Sequence, residues 1–350
     1  MDRFVYVDNA ATTAPHPEVI AEMQKALVDG WGNPSSLHSK GREAKKLLDD
    51  ARARVAKCLG ASKPEEIYFT SGGTEADNWA IKSAVLSTGK RHIITSAIEH
   101  PAVMRTCDAL EKQGVRVTRL GVDKYGKISL DELRDALTPD TALVAIMMAN
   151  NEIGTIQPIK EAAEIAHKAG ALIFTDAVQA VGSIPVNVTE LGVDMLALSG
   201  HKLHAPKGIG ALYIKRATRI KPFIDGGGQE RGMRSGTENI PYILALAKAL
   251  EVAIERMPDE ARVAAMRDRI IAGLTKIPHT RLNGHPTDRL PGNVNVSFEY
   301  IEGESLALLA DMAGICVSTG SACSSASLEP SHVLIATGLP HEIAHGSMRI

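Results

Sequence analysis

The residues best suited to chemistry fall just after a series of short apolar runs. TSGGTE (70–75) follows EIYF, and a helical pattern starts at Thr74. Gly72 and Gly73 at a helix start would expose backbone N–H groups and the positive end of the helix dipole, which suits a phosphate. The same pair also serves as an ordinary tight turn, and the GxxxxGK[ST] spacing of a Walker loop is absent. After HIITS, the segment AIEHP sets His100 before a proline-started helix. NNEIG follows ALVAIMMA, where Asn150 and Asn151 could be turn formers. Asp176 follows ALIFT, with Gln179 three residues on, and Gly200, His201 and Lys202 follow the run DMLALS. A lysine at the tip of an apolar strand is partly desolvated, which lowers its pKa and frees its amine as a nucleophile. Each residue alone has a structural explanation. Taken together, a phosphate cradle, a carboxylate, a flat stacking side chain and a lysine are the parts of a pyridoxal phosphate site. The lysine would form the Schiff base, and the carboxylate would keep the pyridine nitrogen protonated.

Elements must bring these residues together, and the pattern supplies them. Apolar runs at 66–70, 92–95, 115–120, 142–148, 171–175, 194–198 and 210–214 alternate with helical patterns at 74–86, 101–113, 130–137 and 159–169. That alternation predicts βαβ units and a mostly parallel sheet flanked by helices. In open α/β sheets ligands sit outside the carboxyl ends of the strands, where the candidate residues lie. After Gly228 the pattern changes to two helical stretches (241–256 and 259–275), strands near Thr280 and Asn293, and a helix near 304–312. The expected division is a large domain over 15–257, with 1–14 and 258–350 forming a smaller α+β domain. HGSMRI (345–350) reads as the start of a strand.

A chain of 350 residues with 44% hydrophobic content suits about two domains with a core each. The net charge of −2, without a block of like charges, argues against a nucleic-acid or membrane-surface protein. No apolar run reaches the roughly 18 residues of a membrane span, and MDRFVYVDNA lacks signal-peptide character, so a cytoplasmic location is expected. Four cysteines (58, 107, 316 and 323) lack a CxxC half-site, so no metal site is expected. Cys58 and Cys107 read as helix residues at or near the core, and Cys316, in GICVS, as buried. Cys323 differs: STGSACSSAS (318–327) has no charge and no large side chain, which predicts a mobile loop with a thiol near its tip. No lysine or arginine lies within ten residues of it, so its thiolate must be generated at the cofactor site.

The motifs TSGGTE (70–75), SAIEHPAV (96–103), MANNEIGTIQP (148–158), DAVQAVG (176–182), SGHK (199–202), PKGIGALY (206–213), GGGQERGMRSGTEN (226–239) and TGSACSSASLEPSHVL (319–334) resemble, in order, the group I cysteine desulfurases. These NifS/IscS-type enzymes have the aspartate-aminotransferase fold, and the resemblance runs from VDNAATT (7–13) to the last residue. It implies a seven-stranded, mostly parallel sheet and a pyridoxal phosphate enzyme turning L-cysteine into L-alanine and a persulfide on Cys323. It further implies Lys202 as the Schiff-base lysine and general base, Asp176 as partner of the pyridine nitrogen, and His100 as the stacking and acid/base residue. Gln179 and Asn151 would neighbour the ring hydroxyl. Gly73, Thr74, Ser199 and His201 would hold the phosphate, with Thr237 reaching in from the other subunit of a homodimer. Arg349, with Asn151, would take the substrate carboxylate, and an iron–sulfur scaffold protein would accept the sulfur. Family members continue beyond the point matching Ile350 through a strand and a helix, so the small domain is expected to be cut short. Ala205 stands where the family often has glycine. The same fold also serves selenocysteine lyases and kynureninases, and a non-catalytic sulfur-transfer scaffold or a redox pair of Cys316 and Cys323 are further alternatives.

Overall fold

The structure is a computed structural model, and it describes residues 4–320 and 330–350. Its strands in chain order are β1 (Val5–Tyr6), β2 (Ile67–Thr70), β3 (His92–Ser96), β4 (Arg116–Leu120), β5 (Thr141–Ala145), β6 (Leu172–Asp176) and β7 (Met195–Ser199). They continue with β8 (Gly210–Ile214), β9 (Thr280–Leu282), β10 (Asn295–Phe298), β11 (Ile315–Cys316), β12 (Ser318–Thr319) and β13 (Ser347–Arg349).

A seven-stranded sheet in the order β2-β8-β7-β6-β5-β3-β4 forms the centre. Only β8 runs against its neighbours; the other pairings are parallel. Alternate side chains of these strands enter two cores. Ile94, Val144, Ile173 and Leu196 pack with the helices Ser39–Leu59, Ile159–Lys168 and Ile240–Glu255. Ile93, Leu143, Phe174 and Met195 pack with Gly73–Thr88 and Pro101–Glu111, around the fully buried Trp79. The period-two division between two faces is what a sheet covered on both sides requires.

The 142–148 run ends as two-sided strand at Ala145 because Met147 N–H turns to the buried Glu99 carboxylate. Hydrogen bonds to β6 continue on the other side at Ile146 and Met148. The helix Pro17–Asp29 was not located by pattern, and of Ser39–Leu59 only the part around Cys58 read as helical. The first begins at Pro17 under a His16 cap, and the second ends at Gly60, whose φ of 67° suits a left-handed helix stop. The helix Ile240–Glu255 gives way at Met257–Asp259 to Glu260–Leu274.

A second sheet, β12-β13-β10-β9, carries Arg349 on its strand β13, and β1 pairs with β11. Cys107 is buried and Cys58 half-buried; Cys316 is half-buried rather than buried, because its two-residue strand is paired only with β1. No helix among the described residues is long and apolar enough to cross a membrane.

Candidate active site

At the carboxyl end of β2 the chain turns through Gly72 into the helix Gly73–Thr88. The reversed strand β8 starts at Gly210 against both Thr70 and Ser199. A Cβ on Gly210 would stand 2.6 Å from the Leu198 carbonyl and 2.7 Å from the Gly72 Cα, so this close approach needs glycine. Gly73, Thr74 and Ser199 are thereby gathered at one rim of a cavity of about 380 Å³. That cavity is also bounded by Asp77, His100, Asn151, Asp176, Gln179, His201, Lys202 and Arg349, contributed after β2, β3, β5, β6 and β7 and by β13.

His100 caps the helix Pro101–Glu111 by accepting the Ala102 N–H at Nδ1 (3.1 Å), which leaves its proton on Nε2. Burial lowers the imidazole pKa, with the Asp176 carboxylate opposing. Asp176 ends β6, is 5% exposed, and accepts the Val178 N–H at 2.9 Å. Burial raises its pKa, and His100 and Lys202 pull it back. Lys202 Nζ donates to the carbonyls of Ala10 (2.6 Å) and Ala11 (2.7 Å), and Gln179 Nε2 also donates to Ala10 (3.0 Å). His201 Nδ1 lies 3.1 Å from Thr12 Oγ1, and burial pushes its pKa down to about 4, followed by the charges of Lys202 and Lys207.

The two asparagines separate in role. Asn150 is fully buried and holds the turn, accepting the N–H groups of Glu152 and Ile153 and donating to the Ile98 carbonyl. Asn151 faces the cavity, and its carbonyl accepts from Arg349 Nη1 at 3.0 Å. Arg349 Nη2 pairs with Asp8 Oδ1 at 3.0 Å, while Nε is buried with no partner among the described residues. Ala205 is buried, and its N–H closes the turn onto the Gly200 carbonyl.

Thr237 is exposed and does not line this cavity in the protomer. Cys323 lies outside the described residues. Four contributors escaped the sequence reading. The carbonyls of Ala10 and Ala11 carry no side-chain signal. Asp8 could have been marked as the acidic residue of VDNAATT. Asp77 stands one helical turn beyond Gly73, on the same face, which is the signal that could have found it.

The donor set fits pyridoxal phosphate. Asp176 is a buried carboxylate with one backbone donor and room for a cationic ring nitrogen; Gly73 and Thr74 open a helix toward an anion; Lys202 offers an amine within the same cavity. An α/β sheet carrying this set at its carboxyl edge defines a pyridoxal phosphate-dependent enzyme, and the chain belongs to the aminotransferase class-V family, whose description matches residues 5–350.

Within that family it groups with the cysteine desulfurases. It is 55% identical to cysteine desulfurase IscS of Methanosarcina thermophila, over 100% of this chain and 87% of that protein. It is 53% identical to cysteine desulfurase 2 of Trichormus variabilis, over 99% of this chain and 87% of that protein. Among solved structures, a NifS-like protein superposes with a TM-score of 0.93 at 41% identity, covering 99% of this chain and 93% of its own. The structure of SspA in complex with cysteine gives 0.87 at 36% identity, covering 99% and 98%.

Proposed function

We propose that the protein converts L-cysteine to L-alanine and passes the sulfur to Cys323 as a persulfide. The observation that carries this reading is the meeting of Lys202, Asp176 and Arg349 in one cavity. When bound, pyridoxal phosphate supplies an electron-withdrawing ring that stabilises negative charge at the substrate Cα. Arg349 binds the substrate carboxylate, using the guanidinium edge that includes the unpartnered Nε. Lys202, drawn from the carbonyls of Ala10 and Ala11, takes the Cα proton as general base. Asp176 would hold the proton at the ring nitrogen, and His100, neutral with its proton on Nε2, would stack on the cofactor and exchange protons with the substrate. Gly73, Thr74, Ser199 and His201 would hold the phosphate, and Asn151 and Gln179 would address the ring hydroxyl. The Cys323 thiolate attacks the substrate sulfur: an S–S bond forms, the C–S bond breaks with its electron pair going to carbon, and that carbon is then protonated.

The reading includes a homodimer in which the exposed Thr237 completes the partner's phosphate site. It also takes residues 15–257 as the cofactor domain and 1–14 with 258–350 as the smaller one, in a cytoplasmic protein that hands sulfur to an iron–sulfur scaffold protein. The test is the formation of alanine and sulfide from L-cysteine by the cofactor-loaded protein, with Cys323→Ala alongside. Cofactor absorption should persist in Cys323→Ala while sulfur release fails. Full turnover by that variant would remove Cys323 from the mechanism, and no alanine from the parent protein would remove the activity.

A further inference from the structure

Asp77 has no place in the chemistry above, yet it is 1% exposed and borders the cofactor cavity. Its Oδ1 is buried with no hydrogen-bond partner among the described residues. One side-chain oxygen or nitrogen from each of Asp77, His100 and Asp176 lies within 4.8 Å of the others, so two carboxyl groups and an imidazole share one buried corner of the cavity.

The charges around the two carboxyls differ. Asp176 faces the cation-forming groups His100 and Lys202 and accepts the Val178 N–H. Asp77, reached from the helix Gly73–Thr88, faces the acids Asp176 and Glu99. A second buried carboxylate beside an existing one, without a cation of its own, is strongly disfavoured. Adjacent carboxyls meet that cost by retaining a proton on one of them. Burial and its two acidic neighbours raise the Asp77 pKa well above the usual carboxyl value, so the proton settles there.

We propose that Asp77 is a positioning residue that stays a neutral carboxylic acid in the working enzyme, donating its proton toward Asp176 so that Asp176 is the anion facing the ring nitrogen. This rests on the pyridoxal phosphate reading of the cavity. A single anion there matches a single cationic ring nitrogen. Two would invite a second cation into the site.

The test uses the cofactor-loaded protein. Infrared difference spectra at pH 8, parent against Asp77→Asn, should show a deuterium-sensitive protonated-carboxyl stretch in the parent that the variant lacks. Because an amide replaces a neutral acid, Asp77→Asn should bind cofactor within about twofold of the parent and keep the pH midpoint of its absorption within about 0.3 unit. Asp77→Leu, with the same branched frame but no donor, should bind cofactor about tenfold more weakly, as expected if the Asp77 proton makes one hydrogen bond to the Asp176 anion in the loaded protein. Carbon-13 spectra of aspartate-labelled parent protein give the same protonation state without any variant. Absence of the protonated carboxyl at pH 8, a midpoint displaced by about one unit in Asp77→Asn, or undiminished cofactor binding in Asp77→Leu would each overturn the proposal. A protonated Asp77 in a protein that makes no alanine from cysteine would leave this inference standing and remove the activity instead.

Discussion

Arg349→Lys is the sharpest probe of the substrate end of the cavity. A guanidinium has five N–H donors. In Arg349, Nη1 is committed to the Asn151 carbonyl and Nη2 to Asp8, and Nε is buried without a partner. The remaining donors can give a carboxylate two parallel bonds, each worth about 1.5–3 kcal/mol when charge-assisted. Lysine keeps the charge and one bond but not the planar fork, so the net loss should be about 2–4 kcal/mol. Since about 1.4 kcal/mol is tenfold, kcat/KM for L-cysteine should fall about 30- to 900-fold. The loss should appear mainly in KM if the carboxylate is bound equally in ground and transition states. Steady-state alanine formation measures it, and absorption of the bound cofactor serves as the control. If Arg349→Lys keeps kcat/KM within about threefold while remaining folded and loaded, the guanidinium is not the carboxylate clamp.

Glu230→Ala should destabilise the fold by about 3–5 kcal/mol in chemical denaturation, because it strands Arg52, whose guanidinium now makes two 2.7 Å bonds to that buried carboxylate. Replacing both partners by methionine should recover most of that loss. Burial lifts Glu99 to about 8 from 4.5, so its neutral form supports the fold fully below pH 4.5, and that support drains away as pH rises toward and through 8. Glu99→Gln should therefore flatten the decline in melting temperature between about pH 5 and 8.5; an identical slope in both proteins would contradict the assignment. Gly73→Ala would place a Cβ 2.7 Å from Val178 Cγ2, and crowding worth about 1–3 kcal/mol should weaken cofactor binding roughly tenfold or more by absorbance titration.

Much of the cavity was legible because a parallel sheet directs chemistry to the residues after its strands, and the apolar runs marked those strands. Asp176, His201 and Lys202 needed no more than that rule, whereas Ser199, the last residue of its strand, was marked only by the family resemblance. Residues that act through the backbone were invisible: nothing in the side chains of Ala10 and Ala11 hints that their carbonyls hold the Lys202 amine. Pairs closed over great distances were equally hidden, as with Asp8 and Arg349, because pattern carries only local information. The first half of the helix Ser39–Leu59 was missed for a different reason, although the part around Cys58 read as helical. Its apolar stripe is diluted by many lysines and arginines, and Arg52 is itself buried against Glu230, so a charged residue occupies a core position.

The grip of the first residues on the cavity has a consequence for how the molecule comes to exist. Lys202 meets Ala10 across 192 positions of chain, and Arg349 meets Asp8 across 341. Contacts so distant must overcome loop-closure entropy before they reward the chain, whereas the βα units of the central sheet form from near neighbours. The catalytic cavity is thus finished last. A ligand that binds only the closed cavity favours that closure by mass action, so cofactor binding and the docking of the first residues on Lys202 and Arg349 support one another.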